Sequence, residues 1–193
     1  MTTLTKVQLA VCCAAVAAFA VMPSAALFEN DQVKVSRALE KAHVKGGFHE
    51  HKPNRVMIYL QAGRQRFEYQ DGRQPRVFDW TPGQVVWSKA EGMHSPEVTG
   101  DDSFNIIEVE LKKPGSGKKL GAPDKHYGLE FENDQVRVLR LKLGPHESTP
   151  ALAHPDSVVA SLKAGDAAWK PAGTYKEENP GASPLELVVV ELK

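Results

Sequence analysis

The sequence predicts an all-β protein built as two tandem barrels, the second shorter than the first by one hairpin. Three observations predict it. A hexapeptide recurs far along the chain, short β-prone runs are punctuated at close intervals by Gly and Pro, and no stretch after the first 26 residues shows a sustained helical period.

The hexapeptide Phe28-Glu29-Asn30-Asp31-Gln32-Val33 returns unchanged as Phe131-Glu132-Asn133-Asp134-Gln135-Val136, an offset of 103 positions (131 − 28). His43 and His51 fall on His146 and His154 at the same offset, and Ile107–Lys112 resembles Val188–Lys193. A chance hexamer would not carry such flanks, so the chain reads as a duplication. Lys113 to Gly128, rich in Gly, Pro and Lys, reads as a linker between copies spanning 27–112 and 129–193. Its Gly-Ser-Gly-Lys stretch lacks phosphate-loop spacing and reads as solvent-exposed chain.

The copies are unequal. His51 and Gly83 stand 32 positions apart, but His154 and Gly165 only 11, so 21 positions are missing from the second copy (32 − 11). They correspond to Gln61 through Pro82, which contain Asp71-Gly72, a hairpin signal. A barrel that has lost a hairpin must close by other means or leave an edge that needs cover. Val56–Leu60, Gln84–Trp87, Asn105–Leu111 and Leu185–Leu192 are short and rich in β-branched or aromatic residues. Repeated units of short strands favour barrels or jelly rolls. Trp80, Trp87 and Trp169 are expected in the core, Trp87 and Trp169 matching across the repeat.

The first 26 residues differ in kind. Lys6 supplies a positive start, Val7 to Met22 is almost wholly apolar, and Pro23-Ser24-Ala25-Ala26 offers small residues for cleavage after Ala26. That is the layout of a secretory signal peptide, which implies a periplasmic or secreted protein without a membrane span after processing. Both cysteines, Cys12 and Cys13, would leave with it. The mature chain would then have no disulfide, no thiolate ligand and no Cys nucleophile. Lys plus Arg equals Asp plus Glu at 24 each, so no basic footprint points to nucleic acid.

His49-Glu50-His51 brings a resemblance into view. The cupin superfamily carries a first motif with two histidines one residue apart, then a glutamate and a glycine. Its second motif runs glycine, proline, glycine, histidine, asparagine. The first copy resembles it at His49, His51 and Gly63, then at Gly83, Gly92 and His94; the second at His154, then Gly165, Pro171, Gly173 and Asn179. The resemblance covers nearly all the chain after residue 26. It implies two tandem cupin-type barrels (double-stranded β-helix, or jelly roll). Departures are informative. The motif glutamate falls at Arg55 or Val56, Val98 stands at the asparagine position, Leu152 replaces the first histidine of the second copy, and Tyr175 or Lys176 stands where His94 would. The second copy has thus lost most of the expected ligand set and reads as a structural or interface module.

Residues i and i+2 of a strand share a face, so His49 and His51 can both enter a barrel, with His94 arriving from another strand. Three neutral imidazoles with an open position suit a divalent transition metal: Zn, Fe, Mn, Cu or Ni. Affinity for it should fall as pH drops through the imidazole range near about 6.5. Without the carboxylate the centre is more cationic and favours an anionic partner. Arg55 repels the ion if it points inward, or clamps a substrate carboxylate; it is equally an ordinary outward residue at a strand start. Glu50, Glu68 and Glu97 are read as solvated, and His43, His126 and His146 receive no role. No G-x-S-x-G, H-E-x-x-H or G-x-G-x-x-G occurs. The resemblance implies small-molecule chemistry such as dioxygenation, isomerisation or decarboxylation. Two other classes compete with it: a non-enzymatic small-ligand-binding module, and a structural module that self-associates as a homo-oligomer.

Overall fold

The computed structural model describes residues 24–193, and among them every regular element is a strand. The first half contains β1 (Ser24–Glu29), β2 (Val33–Glu40), β3 (His49–His51), β4 (Arg55–Tyr59), β5 (Gly63–Tyr69), β6 (Arg76–Trp80), β7 (Val85–Ser88), β8 (Glu91–Val98) and β9 (Phe104–Leu111). The second contains β10 (Tyr127–Glu132), β11 (Val136–Leu143), β12 (Leu152–His154), β13 (Ser157–Ser161), β14 (Asp166–Lys170), β15 (Gly173–Tyr175) and β16 (Leu185–Leu192). The expected signal peptide falls mainly on residues 1–23, outside the described residues. Its last three positions open β1, where Ser24, Ala25 and Ala26 pair with Ala38, Arg37 and Ser36.

The two identical hexapeptides build the same turn. Asn30 Oδ1 accepts the N–H groups of Gln32 and Val33 at 2.8 and 2.9 Å, and Asn133 Oδ1 accepts those of Gln135 and Val136 at 2.8 and 3.1 Å. A short amide side chain that bonds the backbone two or three residues on fixes such a turn. The flanking hairpins break register at matching places, between Ala26 and Phe28 and between Leu129 and Phe131. His43 and His146, in their loops, both take the left-handed conformation, with φ of 59° and 57°.

Each half has a five-stranded sheet, in the orders β1-β2-β9-β4-β7 and β10-β11-β16-β13-β14. A four-stranded sheet, β3-β8-β5-β6, covers the first; only the pair β12-β15 stands opposite the second. The missing strands are the β5–β6 hairpin, which turns around Asp71-Gly72 with Gly72 at φ 83°. In the second half β13 runs directly into β14. The second barrel is therefore truncated by one hairpin.

The linker does more than the sequence suggests. Ser116 to Lys118 are exposed, as expected of the Gly-Ser-Gly-Lys stretch, and β10 begins at Tyr127, just before the linker's expected end at Gly128. The Ser116 N–H donates to Lys193 O and the Gly117 N–H to Asp134 O. A side chain at Gly115 would meet the Asp134 carbonyl at 2.0 Å, so the strap lies too close for any other residue. Further on, Leu120 to Asp124 wall a cavity of about 230 Å³ in the second barrel, and Gly121 O accepts a hydrogen bond from Arg137. The linker thus walls part of the second barrel, beside β12.

Alternation sorts each strand into two faces. On β9, Ile107, Val109 and Leu111 face the other half; Ile106 and Glu108 face their own barrel. Val33, Val35, Ile58, Ile107 and Val109 meet Val136, Val138, Val188 and Val190 in one core, each of them fully buried. The two five-stranded sheets thus pack on each other and free their opposite faces to line barrel interiors. Trp80 sits in the first barrel's own core, whereas Trp87 and Trp169 flank the shared one. No helix among the described residues is long and apolar enough to cross a membrane.

Candidate metal centre

β3 and β8 bring the three histidines together. His49 is the register partner of His94, and an irregularity between His49 and His51 lets both rings turn toward it. Ring centroids lie 4.8 Å apart for His49–His51, 4.8 Å for His49–His94 and 5.5 Å for His51–His94. One ligand nitrogen from each lies within 4.8 Å of the others, and among the described residues no other group of three His, Cys, Asp or Glu converges so closely. Bonds of about 2.0–2.1 Å to a tetrahedral ion need roughly 3.3 Å between nitrogens, so binding draws the rings slightly inward.

Hydrogen bonding orients two of the rings. His49 Nδ1–H donates to Gly47 O at 2.9 Å and His94 Nδ1–H to Gly92 O at 3.1 Å. That network assigns the proton to Nδ1 and leaves Nε2 as the free lone pair. Burial deepens from exposed His49 through His51 to His94, which is 4% exposed. Burial, helped by the Arg55 charge and the neighbouring rings, pushes His51 down to about 3. Burial also lowers His94, against the opposing pull of the Gly92 carbonyl. Both therefore stay neutral, the form that ligates a metal. The donor set fits a divalent transition ion.

Arg55, which occupies the place of the motif glutamate, points inward and is 6% exposed. Its Nη1 lies 3.6 Å from Glu108 Oε1, its Nη2 donates to Ser88 Oγ at 3.2 Å, and its Nε has no partner. The outward alternative is thereby overturned, and Glu108 offsets the charge that would repel an ion. Sequence reading passed over Glu108 and Glu40. Glu40 is 7% exposed and accepts from Gln65 Nε2 at 2.8 Å; Gln65 Oε1 accepts in turn from Trp80 Nε1 at 2.9 Å. Burial and the Glu108 charge push the Glu40 carboxyl up to about 7, against smaller pulls from Gln65 and Arg55. Burial raises Glu108 as well, opposed chiefly by Arg55. The repeat held the signal: Glu108 matches Val189 and Glu40 matches Leu143.

The space beside the histidines is a cavity of about 630 Å³ between the five- and four-stranded sheets. Met57, Phe67 and Phe78 are among its apolar walls, with Trp80 stacked on Tyr59 at 4.1 Å. Tyr69 faces it under the Arg73 guanidinium, 4.0 Å from the ring centre. Glu68 and Glu97, read as solvated, are partly exposed and both pair with Arg66, Glu68 also with Lys45. Glu50 lies 3.7 Å from Lys52. In the second barrel, Leu152 faces Tyr175 where His49 faces His94, which places Tyr175 rather than Lys176 at that position. His154 stacks on Tyr175 at 4.5 Å and lies 3.7 Å from Glu191, which is held by Arg137.

No family model matches the chain, and no curated protein matches it by sequence. Solved structures do. AerE from Microcystis aeruginosa is 12% identical with a TM-score of 0.64, over 85% of this chain and 88% of that one. The cupin 2 conserved barrel domain protein from Leptotrichia buccalis is 14% identical with a TM-score of 0.58, over 91% and 90%. Oxalate decarboxylase from Bacillus subtilis, studied for its Mn(II) centres, is 11% identical with a TM-score of 0.57, over 87% and 71%. At such identities the likeness is one of fold.

Proposed function

We infer, from the cupin fold of this chain, that it is an exported protein whose first barrel holds one divalent transition metal between His49, His51 and His94. A small polar or anionic molecule occupies the adjoining cavity. The convergence of three imidazoles on one point carries the reading. Zn, Fe, Mn, Cu and Ni all accept such donors, and the Mn(II) centres of the oxalate decarboxylase similar in fold support manganese among them. Bound there, the ion supplies Lewis-acid polarisation of a ligand oxygen. Gly47 and Gly92 carbonyls hold two of the rings in place, aromatic side chains wall the cavity beside them, and Arg55 stands ready to receive a negative group. Dioxygenation, isomerisation and decarboxylation are the reaction classes that the resemblance to cupins implies.

Export is read from Lys6 and the apolar run that follows, and common descent of the halves from the recurring hexapeptide and its recurring turn. Metal analysis of untagged protein after incubation with each of the five ions tests the centre. One ion per chain is expected. Protein that stays metal-free in all five incubations would remove the metal reading and put the ligand-binding module in its place.

A further inference from the structure

The two barrels form an internal control for what folding requires. Glu108 pairs with Ser36 and Met57, and Val189 pairs with Leu139 and Val159 at the matching place. Arg55 pairs with Glu110 where Ser157 pairs with Glu191. The second barrel therefore has Val189 and Ser157 where the first has Glu108 and Arg55, and it folds without the charges. The ion pair Lys34–Glu110, by contrast, has its like in Arg137–Glu191. That shared pair belongs to the scaffold; Arg55 and Glu108 do not.

Packing does not explain their presence. The side chains are 7% and 15% exposed, their closest approach is 3.6 Å, and Arg55 Nε is left without a partner. Replacing such a buried pair by apolar residues is often neutral or stabilising, and an unpaired buried donor is a cost. Both residues line the cavity that holds the histidines.

Side by side, they offer an N–H donor and a carboxylate acceptor. A group that satisfies both has an acceptor and a donor on neighbouring atoms, as in a hydroxyl next to a carboxylate. A bare carboxylate would suit Arg55 but be repelled by Glu108. We propose that Arg55 and Glu108 form a polar subsite that selects hydroxylated organic anions. The proposal rests on the first cavity being the ligand site.

Tartrate and succinate share two carboxylates and differ in their hydroxyls. Calorimetric titration of each into the zinc-loaded and the metal-free full chain should show tartrate binding at least about tenfold more tightly. In the double variant Arg55→Ser/Glu108→Val, which takes the second barrel's residues, the preference should vanish. Zinc stoichiometry and the unfolding temperature should hold. The double variant is chosen because either single change strands a buried charge. Equal binding of the two anions, binding of neither, or a preference that survives in the double variant overturns the subsite. A preference retained by protein that takes up no zinc would support the subsite and remove the metal reading instead.

Discussion

His49 and His94 face each other across β3 and β8, and at the matching place in the second half Leu152 faces Tyr175. One pairing presents two imidazoles to a common point; the other presents an aliphatic side chain and a phenol that burial keeps protonated, a poor ligand. The expected stoichiometry is therefore one ion per chain. Even outer-shell changes cost 10–100-fold in metal affinity, so His94→Ala should cost at least about a hundredfold. His154→Ala should leave affinity within about twofold, because its neighbours are Tyr175 and Glu191 rather than other imidazoles. Calorimetry with zinc on the two variants decides this. Equal losses would mean that the second barrel also binds.

Proton release gives a separate reading of the centre. Three imidazoles with ordinary pKa values near 6.5 would together give up roughly two protons on binding zinc at pH 6. His51, held neutral down to about 3, gives up none there, and His94 gives up less than an ordinary imidazole. Release should fall below that of three ordinary imidazoles, measured from binding enthalpies in buffers of different ionisation heat. The expected fall of affinity through the imidazole range should be correspondingly shallower. The stability sign also follows. Below about 6.5 the unfolded chain protonates His51 while the native chain refuses the proton until about 3, so this residue lowers stability as pH falls across that window.

The fold was legible largely because its repeats are local. The Asn30 and Asn133 turns are written in six residues, and Asp71-Gly72 marks the hairpin that only the first half has. The histidines were legible because two lie on one short strand. Arg55, Glu108 and Glu40 were harder to read. Their inward direction depends on strand register, and a charged residue in an alternating strand is ordinarily on the solvent face. The linker's part in walling the second barrel was invisible for another reason: Leu120 to Asp124 has loop composition, and only contact with Arg137 and the barrel interior gives it a role.

Glu40 makes stability depend on pH in the opposite sense to His51. Its native carboxyl is pushed up to about 7, against 4.5 as its ordinary value. Between those values the native state keeps a proton that the unfolded state releases, so stability falls as pH rises through the window. The fall attributable to Glu40 is at most roughly 3 kcal/mol. Glu40→Gln should remove it, leaving the variant relatively more stable at pH 8 than at pH 5. Urea unfolding of both proteins at the two pH values measures the difference, and parallel curves would refute it.

Processing after Ala26 would cut inside β1. The pairs Ser24–Ala38, Ala25–Arg37 and Ala26–Ser36 would be lost, leaving Phe28 and Glu29 as the paired residues of that strand. A bond held in a hydrogen-bonded strand is poorly open to a peptidase, so cleavage should precede folding. Intact-mass analysis of protein recovered from the exported fraction should give Leu27 as the first residue. Chains that retain residues before Ala26 would refute the site.

The last prediction concerns why the halves stay together. Val33, Val35, Ile58, Ile107 and Val109 are fully buried because the second sheet covers them. Residues 24–112 expressed alone would expose that entire face, a patch that soluble monomers rarely tolerate. The fragment should therefore aggregate or pair through this face with a second copy, seen as a doubled mass in light scattering. In the full chain, Ile107→Ala should cost about 2–5 kcal/mol, since the residue is fully buried between the sheets. Leu129→Ala, at a site 59% exposed, should change stability by no more than about 0.5 kcal/mol. A soluble, monomeric fragment would show that the first barrel needs no cover. Aggregation or pairing would assign the second barrel, which has lost the histidine set, the task of burying the back of the sheet that carries Arg55 and Glu108.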